Sequence, residues 1–317
     1  EISVSKLIII LREDKLDDVK ELLDEYASFL EEKYRLKKSD ALNQIYNNVK
    51  DENNTYYVYL DNSTPLGFVG GRKERSLENE AYITRIFVSE KTSDKMIEIK
   101  LFEKVFKELS SIYSTIRIMG YQPSTNLQQI LKDYNFHHFD RFFMSIQRET
   151  VDALFDPDLP DGYHFDTWNE DLKNVGIDII TDAHVGSIDN KIFSFFRNQT
   201  TGLSFMRNLE SHRWGKFTPS NTSILRYDDT PIGVCFMTVL NQGNGYIPDF
   251  ALKKEYKGKG LGKKLFIRSL KWFLEQEPKT KAIDLDVTKK NTIAFNLYKN
   301  LGFEIHRTYA VYVWNKN

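Results

Sequence analysis

Tyr246-Ile247-Pro248-Asp249-Phe250-Ala251-Leu252 is an apolar run that reads as a β-strand, and a few residues on stands Lys257-Gly258-Lys259-Gly260-Leu261-Gly262. Beyond the glycines, Leu265, Phe266, Ser269, Leu270 and Phe273 recur at helical spacing, so a helix begins at or just after them. Strand, glycine-rich turn and helix N-terminus together make an anion site. Glycines let the backbone approach closely, and the first-turn N–H groups have no partner within the helix. The helix dipole favours negative charge, so a phosphate or pyrophosphate is the natural guest.

Three glycines fit several frames. A P-loop needs Gly-Lys-Ser/Thr at its end, whereas Gly262 is followed by Lys263-Lys264. A dinucleotide-binding turn needs glycines directly off the first strand with further strands to come, whereas Lys253-Lys254-Glu255-Tyr256 intervene here. A plain surface turn is the remaining alternative, and the downstream companion segment argues against it. Ala282-Ile283-Asp284-Leu285-Asp286-Val287 reads as a second strand. It leads into Asn291-Thr292-Ile293-Ala294-Phe295-Asn296-Leu297-Tyr298-Lys299-Asn300-Leu301-Gly302-Phe303. Strand, Lys-Gly-x-Gly-x-Gly, helix, strand and Asn-x-x-Ala-x-x-x-Tyr-x-x-x-Gly-Phe strongly resemble the GNAT superfamily of acyl-CoA-dependent N-acyltransferases. The departure is at the first loop position, where Lys257 stands for the family's Gln or Arg.

Working outward, the length of 317 residues suits two domains, and the composition is globular: 41% hydrophobic, 14% aromatic and 28% charged. A net charge of −1 gives no electrostatic reason to expect nucleic acid or an anionic membrane as partner. No apolar run approaches the roughly 20 residues a spanning helix needs. The opening Glu1-Ile2-Ser3 shows no signal-peptide pattern and no Met, as if a residue or tag had been removed. A single cysteine, Cys235, excludes an internal disulfide framework and leads us to expect a reducing, cytoplasmic compartment. Its strand-like setting, Ile232–Val239, makes it a packed core thiol rather than a nucleophile. No Cys/His cluster suggests a metal.

From the N-terminus, strand patterns are expected over 3–12, 56–60, 66–72, 80–88, 115–119 and 138–147. Helices are expected from Asp14 with Val19, Leu22, Leu23 and Tyr26 on one face, onward to about Val49, over 96–109 and over 127–134. Asp156-Pro157-Asp158-Leu159-Pro160-Asp161-Gly162 reads as a linker. The order then repeats. Strands are expected over 163–167, 223–227, 232–240 and 245–252, and helical stretches over 171–183 and less regularly to 208. After the segments already described come two closing strands, around 303–307 and 309–314. Gly67-Phe68-Val69-Gly70 matches Gly233-Val234-Cys235-Phe236, and 81–88 matches 245–252. The expected fold class is α/β (α+β): two tandem GNAT-like domains, residues 1–150 and 151–317. Each would be a mixed, mostly antiparallel central sheet flanked by helices.

The copies differ where chemistry would live. Setting Val88 against Leu252 puts Met96 and Glu98 where the second copy has Gly260 and Gly262. Setting Phe136 against Phe303 puts Leu131 opposite Tyr298. The first copy is therefore expected to be degenerate, without a cofactor loop. The layout resembles tandem superfamily members of the mycothiol synthase type, although the composition gives no support for a mycothiol-type acceptor.

The resemblance implies acetyl-CoA as co-substrate and direct transfer of its acetyl group to an amine acceptor, small molecule or peptide. It implies that backbone groups of Phe250, Ala251 and Leu252 hold the pantetheine arm and acetyl oxygen, with the strand splaying from its neighbour. Lys257, Gly258, Lys259, Gly260, Leu261, Gly262 and Lys263 would hold the pyrophosphate. Tyr298 matches the tyrosine placed near the thioester sulfur. A phenol of pKa about 10 is a weaker acid than a thiol of about 8.5, so full transfer is uphill by roughly 2 kcal/mol and the role implied is a hydrogen bond to the leaving thiolate. Asn291 would contact the pantetheine arm or cap the helix. Asp249 is the only carboxylate of its strand and the candidate base; Tyr246 sits where some relatives carry glutamate. Regular alternation places those two on opposite faces unless a bulge intervenes. His184 could reach the acceptor side, although a lone histidine is more often structural. Two other classes stay open: a non-catalytic acyl-CoA-binding regulator, and a protein acetyltransferase (N-terminal or lysine) whose first domain docks the partner.

Overall fold

The computed structural model describes residues 6–34, 37–119 and 122–316. Its contacts divide into two compact units, Glu1–His138 with Ala310–Asn317, and Phe139–Tyr309. The expected strand over 3–12 is described from Lys6; residues 3–5 lie outside the described residues.

The first unit runs β1 (Lys6–Leu11), α1 (Lys20–Tyr34), α2 (Lys38–Lys50), β2 (Asn54–Asp61), β3 (Thr64–Lys73), β4 (Glu80–Val88), α3 (Met96–Ile112), β5 (Thr115–Met119) and α4 (Thr125–Asp133). The apolar face read from sequence is the one buried: Val19, Leu22, Leu23 and Tyr26 join Phe68 and Phe87 in one core. On the other face, Leu101, Phe102, Val105 and Phe106 of α3 meet Val69, Ile83 and Ile116. Ser124 caps α4 by accepting from the Leu127 N–H, which satisfies one of the donors a helix start leaves open. Leu131, opposite Tyr298 in the sequence alignment, is fully buried in this core.

β6 (His137–Gln147) and α5 (Arg148–Asp152) follow. The second unit continues with β7 (Tyr163–Thr167), α6 (Lys173–His184), α7 (Asp189–Ile192), α8 (Gln199–Glu210), β8 (Lys216–Phe217), β9 (Ser223–Tyr227), β10 (Thr230–Val239), β11 (Gly245–Leu252), α9 (Leu261–Gln276), β12 (Ala282–Thr288), α10 (Thr292–Leu301) and β13 (Glu304–Asn315). Two findings differ from the sequence reading. The two closing strands are one continuous strand, because nothing in His306-Arg307-Thr308-Tyr309 breaks an extended chain. The units also do not divide at 150. Residues of β6 from Phe139 belong to the second unit, where Arg141–Gln147 pair antiparallel with Ala282–Thr288. Residues of β13 from Ala310 belong to the first, where Val311–Asn315 pair with Thr115–Met119. Each copy's last strand thus completes the other unit's sheet.

The duplication holds in register. Gly67 pairs with Val88 and Gly233 with Leu252, so the two aligned glycines occupy the same rung. A Cβ on Gly67 would lie 2.8 Å from the Phe87 carbonyl oxygen, and one on Gly233 2.8 Å from Leu265 Cδ2. Both sheets are antiparallel except for one parallel pair each. Those pairs are short: β4 meets β5 only from Glu80 to Ile83, and β11 meets β12 only from Gly245 to Ile247. Among the described residues, β4 and β11 continue unpaired on that side beyond these points; for β11 this is the splay that the resemblance implied.

Candidate functional site

At the end of the splayed β11, the Lys253 N–H donates to Ile232 O at 2.9 Å and the chain turns into the glycine loop. Gly258 and Gly260 sit at φ +78° and +76°, a conformation that L side chains rarely adopt, with open space where a Cβ would stand. Gly260 is the N-cap of α9 and supplies no side chain to the first turn. Among the described residues, none of the N–H groups from Gly258 to Lys263 has a hydrogen-bond partner, whereas the Lys264 N–H closes on Gly260 O. A row of free donors at a helix N-terminus is suited to an anion, the kind of guest expected from the sequence.

The first copy closes the corresponding loop with its own side chains. The Glu90 N–H donates to Glu25 Oε1 at 2.7 Å, Lys91 to Ser89 Oγ, and Asp94 to Thr92 Oγ1. The Met96 N–H, at the start of α3, donates to Asp94 Oδ1 at 2.9 Å. α3 also begins one residue earlier after β4 than α9 does after β11, so Glu98 falls opposite Lys263 rather than Gly262. Its carboxylate bonds the N–H and hydroxyl of Ser124. Carboxylates of the chain itself stand where a phosphate would bind.

Phe250, Ala251 and Leu252 form the splayed end of β11. Phe250 turns its ring onto Phe266, with ring centroids 5.0 Å apart, while Ala251 and Leu252 are buried. Tyr298, on α10, is buried between Phe266 and Phe303. Burial first, then neighbouring Cys235 and the Asp249 and Asp189 carboxylates, raise its pKa far above a phenol's ordinary value, so it stays a protonated donor. Cys235 is fully buried and its thiol is pushed up to about 12 by burial, as suits a packed core thiol. Lys257 turns away from the loop: its Nζ donates to Ala183 O at 2.7 Å, at the C-terminal end of α6. Lys259 lies over the Tyr256 ring. Asn291 caps α10 through Oδ1 to the Ala294 N–H and donates Nδ2 to Asp189 at 2.9 Å, so both ends of its amide are engaged within the chain.

A bulge does interrupt β11, in its pairing with β10 between Phe236 and Thr238, so Tyr246 and Asp249 no longer follow simple alternation. Their partners nonetheless differ. Tyr246 donates to Asp286 Oδ2 at 3.0 Å. Asp249, 8% exposed, accepts through Oδ1 from His184 Nε2 at 2.9 Å. Among the described residues its Oδ2 is buried with no hydrogen-bond partner, and the same holds for Thr181 Oγ1 on α6 and Asn190 Oδ1 on α7. A buried carboxylate oxygen left unpaired costs free energy unless a ligand or water completes it. Burial alone would lower the pKa of His184; the charge and hydrogen bond of Asp249, with Asp189 behind, outweigh it and the net shift is upward.

Sequence reading missed the polar network beside this pair. Arg141 of β6 donates Nη1 to Asp189 at 3.2 Å and to Thr288 at 2.7 Å, and Nε to the Tyr309 hydroxyl at 3.2 Å. Tyr309 donates to Asp286 at 2.7 Å. The one available signal was Asp284-Leu285-Asp286, two charges in an otherwise apolar strand. Nothing in the sequence marked Arg141 or Asp189. Among the described residues no cluster of His, Cys, Asp or Glu is arranged to hold a metal, and no helix is long and apolar enough to cross a membrane.

The splayed strand and its free-donor loop sit in a mixed, mostly antiparallel sheet flanked by helices, a fold shared with GNAT proteins. Residues 190–303 match the acetyltransferase (GNAT) family. No curated protein matches the chain in sequence. A GCN5-related N-acetyltransferase from Sphaerobacter thermophilus has a similar structure at 12% identity, with TM-score 0.66 over 98% of this chain and 95% of that one. A tandem GNAT protein from the clavulanic acid biosynthesis pathway is similar at 12% identity, with TM-score 0.61 over 98% of both chains. The family match falls in the second half of the chain, and the fold of the whole chain is that of the tandem GNAT protein.

Proposed function

We propose that the second copy transfers an acetyl group from acetyl-CoA to an amine, and that the first copy binds no acyl-CoA. The carrying observation is the contrast between the loops: free N–H groups from Gly258 to Lys263 in one, N–H groups occupied by Glu25, Ser89, Thr92 and Asp94 in the other. The cradle would hold the pyrophosphate, and the unpaired edge of Phe250–Leu252 the pantetheine arm and the acetyl oxygen. Asp249 would act as the base, a reading supported by its buried, unpartnered Oδ2. It takes a proton of the acceptor ammonium, and the amine lone pair attacks the thioester carbon. The C–N bond forms, the C–S bond breaks, and the thiolate leaves against the Tyr298 hydroxyl and takes up the second proton that the nitrogen sheds. Because Tyr298 is a far weaker acid than a thiol in this setting, it contributes a hydrogen bond that strengthens as charge develops rather than a full proton. Asn291 serves as the cap that fixes α10, and hence Tyr298, against Asp189. Incubating the full chain with acetyl-CoA and a panel of amines and peptides, and following CoA release, tests the reading. Amine-dependent release supports it; release unaffected by every amine, with acetyl-CoA bound, leaves a binding protein.

A further inference from the structure

The stacking and hydrogen bonding of His184 carry one step beyond that reading, and rest on it. The ring lies face to face with Phe196, with centroids 4.0 Å apart and an interplanar angle of 15°. Nε2 meets Asp249 Oδ1 at 2.9 Å, and Nδ1 lies 3.4 Å from Ser187 Oγ. Ser187 Oγ in turn accepts from the Asn190 N–H at 3.2 Å. The imidazole is thus held on its face and at both nitrogens, and through it one oxygen of Asp249 is held while the other stays open. A carboxylate rotates freely about its last torsion unless something fixes it. Here the fixing group is itself titratable.

We propose that His184 is a positioning residue for Asp249: its Nε2 holds Oδ1 so that Oδ2 faces the acceptor amine, and its gain or loss of a proton sets how strong a base that oxygen is. An imidazolium beside the carboxylate favours the anion and makes it a poor proton acceptor; a neutral imidazole donating Nε2–H keeps the geometry and removes the opposing charge. The charged groups facing the ring are Asp249 from β11, Asp189 from α7 and Lys257 from the glycine loop, the first two favouring the imidazolium and Lys257 opposing it. The base therefore switches on as pH rises through the titration of His184, above the ordinary histidine value. Two protons leave the acceptor ammonium. His184 gives its own proton to solvent before the reaction, Asp249 then takes the first proton of the ammonium, and the leaving thiolate takes the second.

Two readouts on the full chain test this. The first needs no acceptor: the His184 imidazole is titrated by NMR in the wild type and in Asp249→Asn. The expected result is a titration above the ordinary value in the wild type that falls by about one unit or more in the variant. A titration near the ordinary value, unmoved by the variant, overturns the proposal whether or not acetyl transfer is found. The second uses the amine that gives most CoA release in the panel above. His184→Gln keeps an N–H donor and removes the charge. It should move the acid limb of kcat downward by about one pH unit while leaving KM for acetyl-CoA within about threefold. A lower melting temperature with the acid limb in place would make His184 a packing residue and overturn the proposal.

Discussion

Lys257 Nζ and the carbonyl oxygen of Ala183 meet at 2.7 Å, which ties the glycine loop to the last turn of the helix carrying His184. A second tie runs beside it, from the Lys254 N–H to Asp182 Oδ2, also at 2.7 Å. A cation at a helix C-terminus and a carboxylate on a loop N–H are both favourable placements. Lys257 stands at the loop position where the resemblance led us to expect Gln or Arg, and its charge is directed at α6. Lys257→Met should therefore lower unfolding stability by about 1 kcal/mol, measured by denaturant titration. It should weaken acetyl-CoA binding less than about tenfold, since the cradle is backbone. A loss of binding altogether would mean that the ammonium contacts the cofactor.

Tyr298→Phe should reduce turnover by about 10- to 1000-fold with acetyl-CoA affinity nearly unchanged, the range expected for losing one donor used in the transition state. The ring keeps its place between Phe266 and Phe303, so stability should change little. Unchanged turnover would make Tyr298 a packing residue.

The His184–Asp249 pair also predicts a pH dependence of stability. The folded-state pKa of His184 is raised, so its contribution is fully present below the unfolded histidine value of about 6.5 and is lost as pH rises through the folded value. The stability advantage of the wild type over His184→Gln should thus be larger at pH 6 than at pH 9, as read by denaturant unfolding. An advantage that grows with pH would reverse the sign and refute the pairing.

Much of the fold was legible because both signals that make it are local. The period of the apolar residues gave β4, β5 and β11 to the residue, and turn chemistry separated them. The register of the two copies was legible too, since Gly67 and Gly233 mark equivalent rungs. What escaped was non-local. Which sheet accepts 139–147 and which accepts 310–315 is a choice between two similar edges, and no residue in either strand announces it. The candidate site divided the same way. The glycine loop is a contiguous motif and could be read directly, whereas Arg141, Asp189 and Asp286 converge from three separate elements. His184 was visible only as a lone histidine until the fold set it against Asp249.

That exchange of final strands changes what a truncation should do. A fragment of residues 151–317 leaves β12 without its partner Arg141–Gln147 and removes Met144 and Ile146 from the core around Phe266. It should be insoluble or molten, judged by near-ultraviolet circular dichroism and dye binding, because an open apolar edge and an unfilled core both destabilise. A well-folded fragment that binds acetyl-CoA normally would show that β6 is dispensable to the second unit.

Calorimetric titration of the full chain with acetyl-CoA decides whether only the Gly258–Gly262 loop holds the cofactor. One site per chain is expected, abolished by Gly260→Asp and largely kept by Gly260→Asn, which shares the left-handed backbone preference but adds no charge. Two equivalent sites per chain, or a single site that survives Gly260→Asp, would contradict it.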